Sequence, residues 1–139
     1  MSKRKQCKDC PPTSKREAKY PGPRCASHHR ERRIQTRNSA WEKRLWQTYH
    51  LTPDQYWAIY EAQGGCCYIC QRAKGNGKKK LSVDHDHACC DGPVSCGKCV
   101  RGLLCTPCNR NVLGHLRDSV KALLRAIRYL LNPPAKPFL

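Results

Sequence analysis

The residues best equipped for chemistry lie in one short run, Val83-Asp84-His85-Asp86-His87, between two Cys-x-x-Cys knuckles, Cys67/Cys70 and Cys105/Cys108, with Asn109 directly after the last cysteine. Two short knuckles distant in sequence are a usual way to supply the four thiolates of a tetrahedral zinc site. Such a clamp would hold a carboxylate, an imidazole and an amide oxygen within a small volume. The two oxygens suit a hard divalent cation, Mg2+ or Mn2+, and a neutral imidazole accepts a proton near pH 7. Together these groups suit hydrolysis of a phosphodiester, with activity falling in acid as the imidazole becomes charged.

The remaining cysteines divide by spacing. Cys7-Lys8-Asp9-Cys10 followed by Cys25-Ala26-Ser27-His28-His29 reads as a first zinc module, with the Pro- and Lys-rich segment 11–24 looping between its halves. Either His28 or His29 supplies its fourth ligand, and two intervening residues after Cys25 favour His28. Cys89, Cys90, Cys96 and Cys99 make a third set with enough thiolates for a zinc ion. Only Cys66 is left over, as a buried thiol or a spare, because Cys67 rather than Cys66 leaves two residues before Cys70. No apolar run follows the basic residues of Met-Ser-Lys-Arg-Lys-Gln-Cys, so no secretory leader is expected, and no stretch approaches a membrane span. A reducing compartment follows, where thiols bind zinc rather than pair as disulfides.

The formal charge of the 139 residues is +17, counted with neutral thiols. Eleven thiolates on three zinc ions would leave about +12. Residues 1–50 hold 14 Lys and Arg against 4 acids, so most of the excess lies in the N-terminal third. A polyanion is the expected partner, and DNA or RNA fits best. Hydrophobic residues make up 39%, cysteines included, with one Phe and one Met, so metal has to make up for a small apolar core.

These groups must be positioned by a modest set of elements. Residues 30–50 read as a basic helix, with Ile34, Trp41, Leu45, Trp46 and Tyr49 turned toward a zinc core and Arg37, Lys43 and Arg44 available to phosphates. Thr52-Pro53-Asp54 opens a second helix, which runs to Gln63, ends at Gly64-Gly65 and buries Tyr56, Ile59, Tyr60 and Trp57. The lysine-bearing loop 73–80 either tracks a DNA strand or is merely solvated. Leu81–Asp84 and Val100–Leu104 pair as an antiparallel hairpin whose long tip carries the third cysteine set. Along an ideal strand Asp84 and His85 face opposite ways, so the strand is expected to end near Asp84. Beyond Asn109 an apolar periodicity from Val112 to Leu131 predicts helix, divided at Gly114 and stopped by Asn132-Pro133-Pro134. Its wide apolar face packs on the earlier helices or on a second copy, giving a homodimer through the C-terminal helix. His50 and His115 read as incidental. The whole is an α+β chain: a basic zinc module over 1–30, helices over 31–65, a nuclease core over 66–114 and an amphipathic helix over 115–139.

The segment from Gln63 to Gly114 resembles the bacteriophage recombination endonuclease VII family of HNH, or ββα-metal, nucleases. The residues that carry this are Cys67-Tyr-Ile-Cys70, Leu81-Ser-Val-Asp84-His85-Asp86-His87, Val100-Arg-Gly-Leu-Leu-Cys105 and Cys108-Asn109, together with Leu51-Thr52-Pro53-Asp54-Gln55-Tyr56. The resemblance implies a zinc-stabilised ββα-metal core and a metal-dependent DNA endonuclease acting on duplex or branched DNA. It implies that Asp84 and Asn109 hold Mg2+ or Mn2+ and that His85 is the general base. His87 beside them reads as a phosphate contact, as orienting another group, or as a structural residue. The products would be a 5′ phosphate and a 3′ hydroxyl, and the location the cytoplasm of an infected host cell. Resolvase members carry an acidic residue shortly after the Asn, where this chain has Arg110-Asn111-Val112-Leu113. Two rival readings are a non-catalytic zinc module that binds nucleic acid, with the acidic pair bracing the knuckles, and an assembly factor whose activity needs a phage packaging protein.

Overall fold

The computed structural model describes residues 5–75 and 79–138, so Asn76, Gly77 and Lys78 of the expected lysine loop lie outside the described residues. The fold is α+β: helices α1 (Ala26–Tyr49) and α2 (Pro53–Ala62), strands β1 (Ser82–His85) and β2 (Val100–Leu104), a π-wound helix Pro107–Gly114, helix α3 (Val120–Leu131) and a 3-10 turn Lys136–Phe138. The chain divides into two compact units, Met1–Gln47 and Thr48–Leu139, the division falling two residues before the end of α1.

In the first unit, backbone bridges Gln6↔Glu17 and Tyr20↔Arg24 fold the segment before Cys25 into a small knuckle, and Arg24 Nε meets Asp9 Oδ2 at 2.6 Å. Helix α1 starts directly after Cys25, earlier than its basic stretch suggests, which places His28 in the first turn. Strong helix formers sustain its length. Leu45 is its one buried residue, whereas Ile34 and Trp46 are exposed, so the apolar face is narrower than the spacing implies.

The second unit carries the catalytic candidates. Thr52 and Gln55 form a reciprocal capping box at α2, with Thr52 Oγ1 accepting from Gln55 N at 3.2 Å and Gln55 Oε1 accepting from Thr52 N at 2.9 Å. Gly64 and Gly65, at φ 73 and 71, end it. Of its expected stripe only Tyr56 is buried; its hydroxyl donates to the Leu81 carbonyl at 2.8 Å, while Ile59 and Tyr60 are half-buried and Trp57 is exposed.

Strand β1 pairs antiparallel with β2 as Ser82↔Leu104, Val83↔Leu103, Asp84↔Gly102 and His85↔Val100. The register skips Arg101, which makes it the extra residue of a β-bulge. The strand therefore continues one residue past Asp84, and Val83, Asp84 and His85 are all buried, so both faces of β1 are covered at this point. Gln63 ties α2 to β2: its Oε1 accepts from Leu103 N at 2.8 Å, and its Nε2 donates to the Leu103 and Cys66 carbonyls at 2.9 and 3.1 Å. Gly102 allows this approach, since a Cβ there would sit 2.8 Å from Gln63 Oε1.

After β2 the chain turns into the π-wound helix, marked by five-residue backbone bonds such as His115 N to Arg110 O at 3.0 Å. The π-wound helix ends at Gly114, where the sequence divides it, and Arg117 and Asp118, with φ 50 and 55, turn the chain into α3. Ser119 then caps α3 by accepting from Ala122 N at 3.2 Å. No residue of α3 is buried, and Leu124, Ile127, Leu130 and Leu131 are all exposed.

Gln63→Ala would strip two partners from a buried stretch of β2 backbone. We predict a loss of about 2 kcal/mol in unfolding free energy, read as a lower Tm of the zinc-loaded protein; an unchanged Tm would show that the clamp on β2 contributes nothing.

Candidate active site and metal clusters

Three groups of side chains place one ligand atom each within 4.8 Å of one another: Cys7, Cys10, Cys25 and His28; Cys67, Cys70, Cys105 and Cys108; and Cys89, Cys90, Cys96 and Cys99. All twelve cysteines are free thiols. The sulfur separations identify what the groups suit. Cys10–Cys25, Cys70–Cys105 and Cys89–Cys96 are each 3.9 Å apart. A tetrahedron with Zn–S bonds of about 2.3 Å has edges of about 3.8 Å, whereas a disulfide needs about 2.05 Å. The three clusters can therefore hold zinc. In the first, His28 Nδ1 lies 3.3, 3.4 and 3.5 Å from the sulfurs of Cys7, Cys10 and Cys25, while the His29 ring stacks on Tyr20 at 4.9 Å. Cys66 stands outside the clamp, its buried thiol donating to the Gln63 carbonyl at 3.5 Å.

Electrostatics point the same way. Knuckle amides of Ala73 and Arg72 pull the Cys70 thiol down to about 6, while burial and then the sulfurs of Cys105, Cys67 and Cys70 push Cys108 up to about 12. In the hairpin tip, amides of Lys98 and Cys99 lower Cys96 to about 7, and crowding by Cys96, Cys90 and Cys99 raises Cys89 to about 12. Each cluster contains thiols poised to ionise beside others that resist, the pattern of anions crowded without a counter-charge. A divalent cation relieves it, and protons compete with it in acid.

Asp84 and His85 project from β1 and are 4% and 5% exposed. His85 Nε2 lies 3.2 Å from the carbonyls of both Cys90 and Gly92, in the cysteine-bearing tip. Carbonyls only accept, so Nε2 is the donor here, and in the neutral ring Nδ1 is the nitrogen with the lone pair. The tip is itself anchored. Asp86 N donates to Cys99 O at 2.9 Å, Asp86 O accepts from Cys89 N and Cys90 N, and Ser95 N donates to Thr48 O at 2.8 Å. His50, which reads as incidental in the sequence, donates from Nδ1 to the Ser95 carbonyl at 2.6 Å. Nothing in its spacing announces that role.

His87 follows in the turn, its ring centroid 4.7 Å from that of His85 and its Nδ1 3.0 Å from Asp118 Oδ2. Asn109 is half-buried on the π-wound helix, next to Cys108 of the clamp, its backbone N–H donating to Cys105 O at 3.0 Å. Both carboxylate oxygens of Asp84 are engaged by Arg101: Nε reaches Oδ2 at 2.7 Å and Nη2 reaches Oδ1 at 3.0 Å, with Asp118 Oδ2 3.2 Å from the same Nη2. The hydrogen bond to Asp84 is the main cause holding the Arg101 guanidinium well above its usual range. Burial opposes ionisation of Asp118, but His87 and Arg101 outweigh it and lower its carboxyl. Sequence reasoning missed both residues: Arg101 is a charge in an otherwise apolar strand, and Asp118 a lone acid between two apolar runs.

Residues 42–132 match the family profile described as recombination endonuclease VII. The Gene 59 protein of Mycobacterium phage L5 is 57% identical over 138 residues, covering 96% of this chain and 77% of that protein. The Gene 59 protein of Mycobacterium phage D29 is 55% identical with the same coverage. No solved structure matches the chain.

Native mass spectrometry should find three zinc ions per chain, falling to two in Cys96→Ser while the Cys67/Cys70/Cys105/Cys108 clamp stays filled. A metal-free folded protein would contradict the assignment of all three clusters.

Proposed function

The chain belongs to the recombination endonuclease VII family, and on that premise we propose that it hydrolyses DNA phosphodiesters with a divalent cation at an HNH-type site. Asp84 and Asn109 hold Mg2+ or Mn2+, His85 takes the proton of the attacking water, and His87 meets the phosphate. A carboxylate and an amide oxygen are the donor set of a hard cation, which when bound would stabilise charge on the departing 3′ oxygen.

The observation that carries this reading is the double tether of His85 Nε2 to the Cys90 and Gly92 carbonyls. A base must present an unprotonated nitrogen in a fixed direction, and this tether assigns that task to Nδ1. The tip cysteines then serve the reaction at one remove, because zinc bound among them fixes the loop whose carbonyls orient the ring. The rival reading, a binding module whose acidic pair braces the knuckles, accounts for Asp86, whose backbone and Oδ1 are spent within the tip. It does not account for Asp84, whose carboxylate oxygens go to Arg101 instead.

Duplex or branched DNA is the substrate class, and the arginines of α1 suit its backbone. Arg24, Arg32, Arg33 and Arg37 line a shallow groove with His29, and the last three are exposed. Such contacts set position rather than sequence preference.

His85→Ala is expected to lower Mg2+-dependent nicking of supercoiled plasmid by at least about 100-fold while DNA retardation in a gel is unchanged; undiminished nicking would refute the role given to His85. Replacing Arg32, Arg33 and Arg37 together by Ala should weaken DNA binding and shallow its salt dependence by about one unit of log–log slope for each phosphate no longer neutralised. An unaltered slope would remove α1 from the interface.

A further inference from the structure

Burying a carboxylate as deeply as that of Asp84 is costly without a neutralising partner. Arg101, the residue that the bulge leaves out of strand pairing, supplies it through two parallel hydrogen bonds. Yet an Asp84 committed at both oxygens to a guanidinium is not available to a divalent ion, and a guanidinium left beside such an ion meets like charge. We propose that Arg101 is a built-in counter-cation that the divalent ion displaces from Asp84, and that Asp118 is the positioning residue that retains Arg101 once displaced. The proposal rests on the reading of Asp84 as a cation ligand.

The geometry of Asp118 supports this. Its Oδ2 lies 3.2 Å from Arg101 Nη2, the same nitrogen that bonds Asp84 Oδ1, so the guanidinium can leave Asp84 without losing an anionic partner. Oδ2 also accepts from His87 Nδ1 at 3.0 Å, which fixes the carboxylate from its other side. The backbone brings Asp118 there through two successive left-handed residues that are not glycine, Arg117 at φ 50 and Asp118 at φ 55. That conformation is unfavourable for residues with a Cβ and persists where surrounding contacts impose it. Arg101 is 36% exposed by side chain against 5% for Asp84, so the guanidinium rather than the carboxylate has room to move. Asp118 thus stands as an acid near the site in a chain without one at residues 110–113, and it acts through Arg101.

The signs of three substitutions separate this device from a general structural role. Removing Arg101 removes a competitor of the divalent ion. Removing the Asp118 charge leaves Arg101 with Asp84 alone and strengthens the competitor. Once Arg101 is gone, Asp118 keeps only His87 and no longer restrains a competitor for Asp84. The test is titration of the full-length, zinc-loaded protein with Mn2+ alone, without DNA, following free Mn2+ by electron paramagnetic resonance, with native mass spectrometry confirming an unchanged zinc count in every variant. Arg101→Gln should tighten Mn2+ binding by about tenfold, the scale of a charge-assisted hydrogen bond. Asp118→Asn should weaken it, Asp118→Glu should restore it at least in part, and the Arg101→Gln/Asp118→Asn double variant should match Arg101→Gln. Unchanged or weaker binding in Arg101→Gln overturns the proposal, as does an Asp118→Asn effect that persists in the double variant. Asp84→Asn is the separate control. Loss of Mn2+ binding there supports the underlying assignment, whereas full retention overturns it, and the proposal with it, whatever Arg101 does.

Discussion

Four sulfurs confined to a sphere a few ångströms across cannot all be thiolates unless a positive charge sits among them, and the second unit of this protein is arranged around that constraint. Cys67 and Cys70 precede the hairpin, and Cys105 and Cys108 follow it, so the clamp closes the chain around β1 and β2. Among the described residues the buried apolar set has twelve members, five of them cysteines, which leaves too little aliphatic surface for the core to organise itself. The opposed displacements of Cys70 and Cys108 belong to the same cluster, the first lowered by the amides of Ala73 and Arg72 and the second raised by burial and the neighbouring sulfurs. Zinc bound in such a clamp would couple metal binding to folding, because its ligands converge only in the folded state.

Within that frame the bulge at Arg101 does the finer positioning. Asp84 and His85 are both buried on β1, and the residue skipped opposite them in β2 is Arg101. The bulge leaves Arg101 beside the carboxylate it neutralises. The hairpin tip contributes from the other end, because the loop that carries its cysteines also supplies the carbonyls that meet His85. The candidate site in so small a protein thus lies between two clusters of thiols and beside one irregular residue pair.

Much of this arrangement is legible in the sequence because metal ligands obey rigid spacing rules. The grouping of the cysteines, the capped start of α2 and the pairing of the strands all follow from local chemistry that leaves few alternatives. The bulge does not, since Val100-Arg101-Gly102-Leu103-Leu104 reads equally well as regular strand. Nor do Asp118 and His50, whose roles arise from a turn at Arg117 and from the return of the tip onto Thr48, events set by tertiary placement rather than by any pattern in their neighbourhood. The apolar periodicity of α3 and α1 overstates burial for the same reason: periodicity identifies a face, and only the fold determines whether anything covers it.

The most direct test of the account is anomalous diffraction from crystals grown with zinc and soaked in Mn2+. It predicts a zinc peak centred among the sulfurs of Cys67, Cys70, Cys105 and Cys108 and a separate manganese peak about 2.1 Å from carboxylate and amide oxygens of Asp84 and Asn109. Cysteines paired as disulfides, or manganese bound away from Asp84 and Asn109, would contradict it.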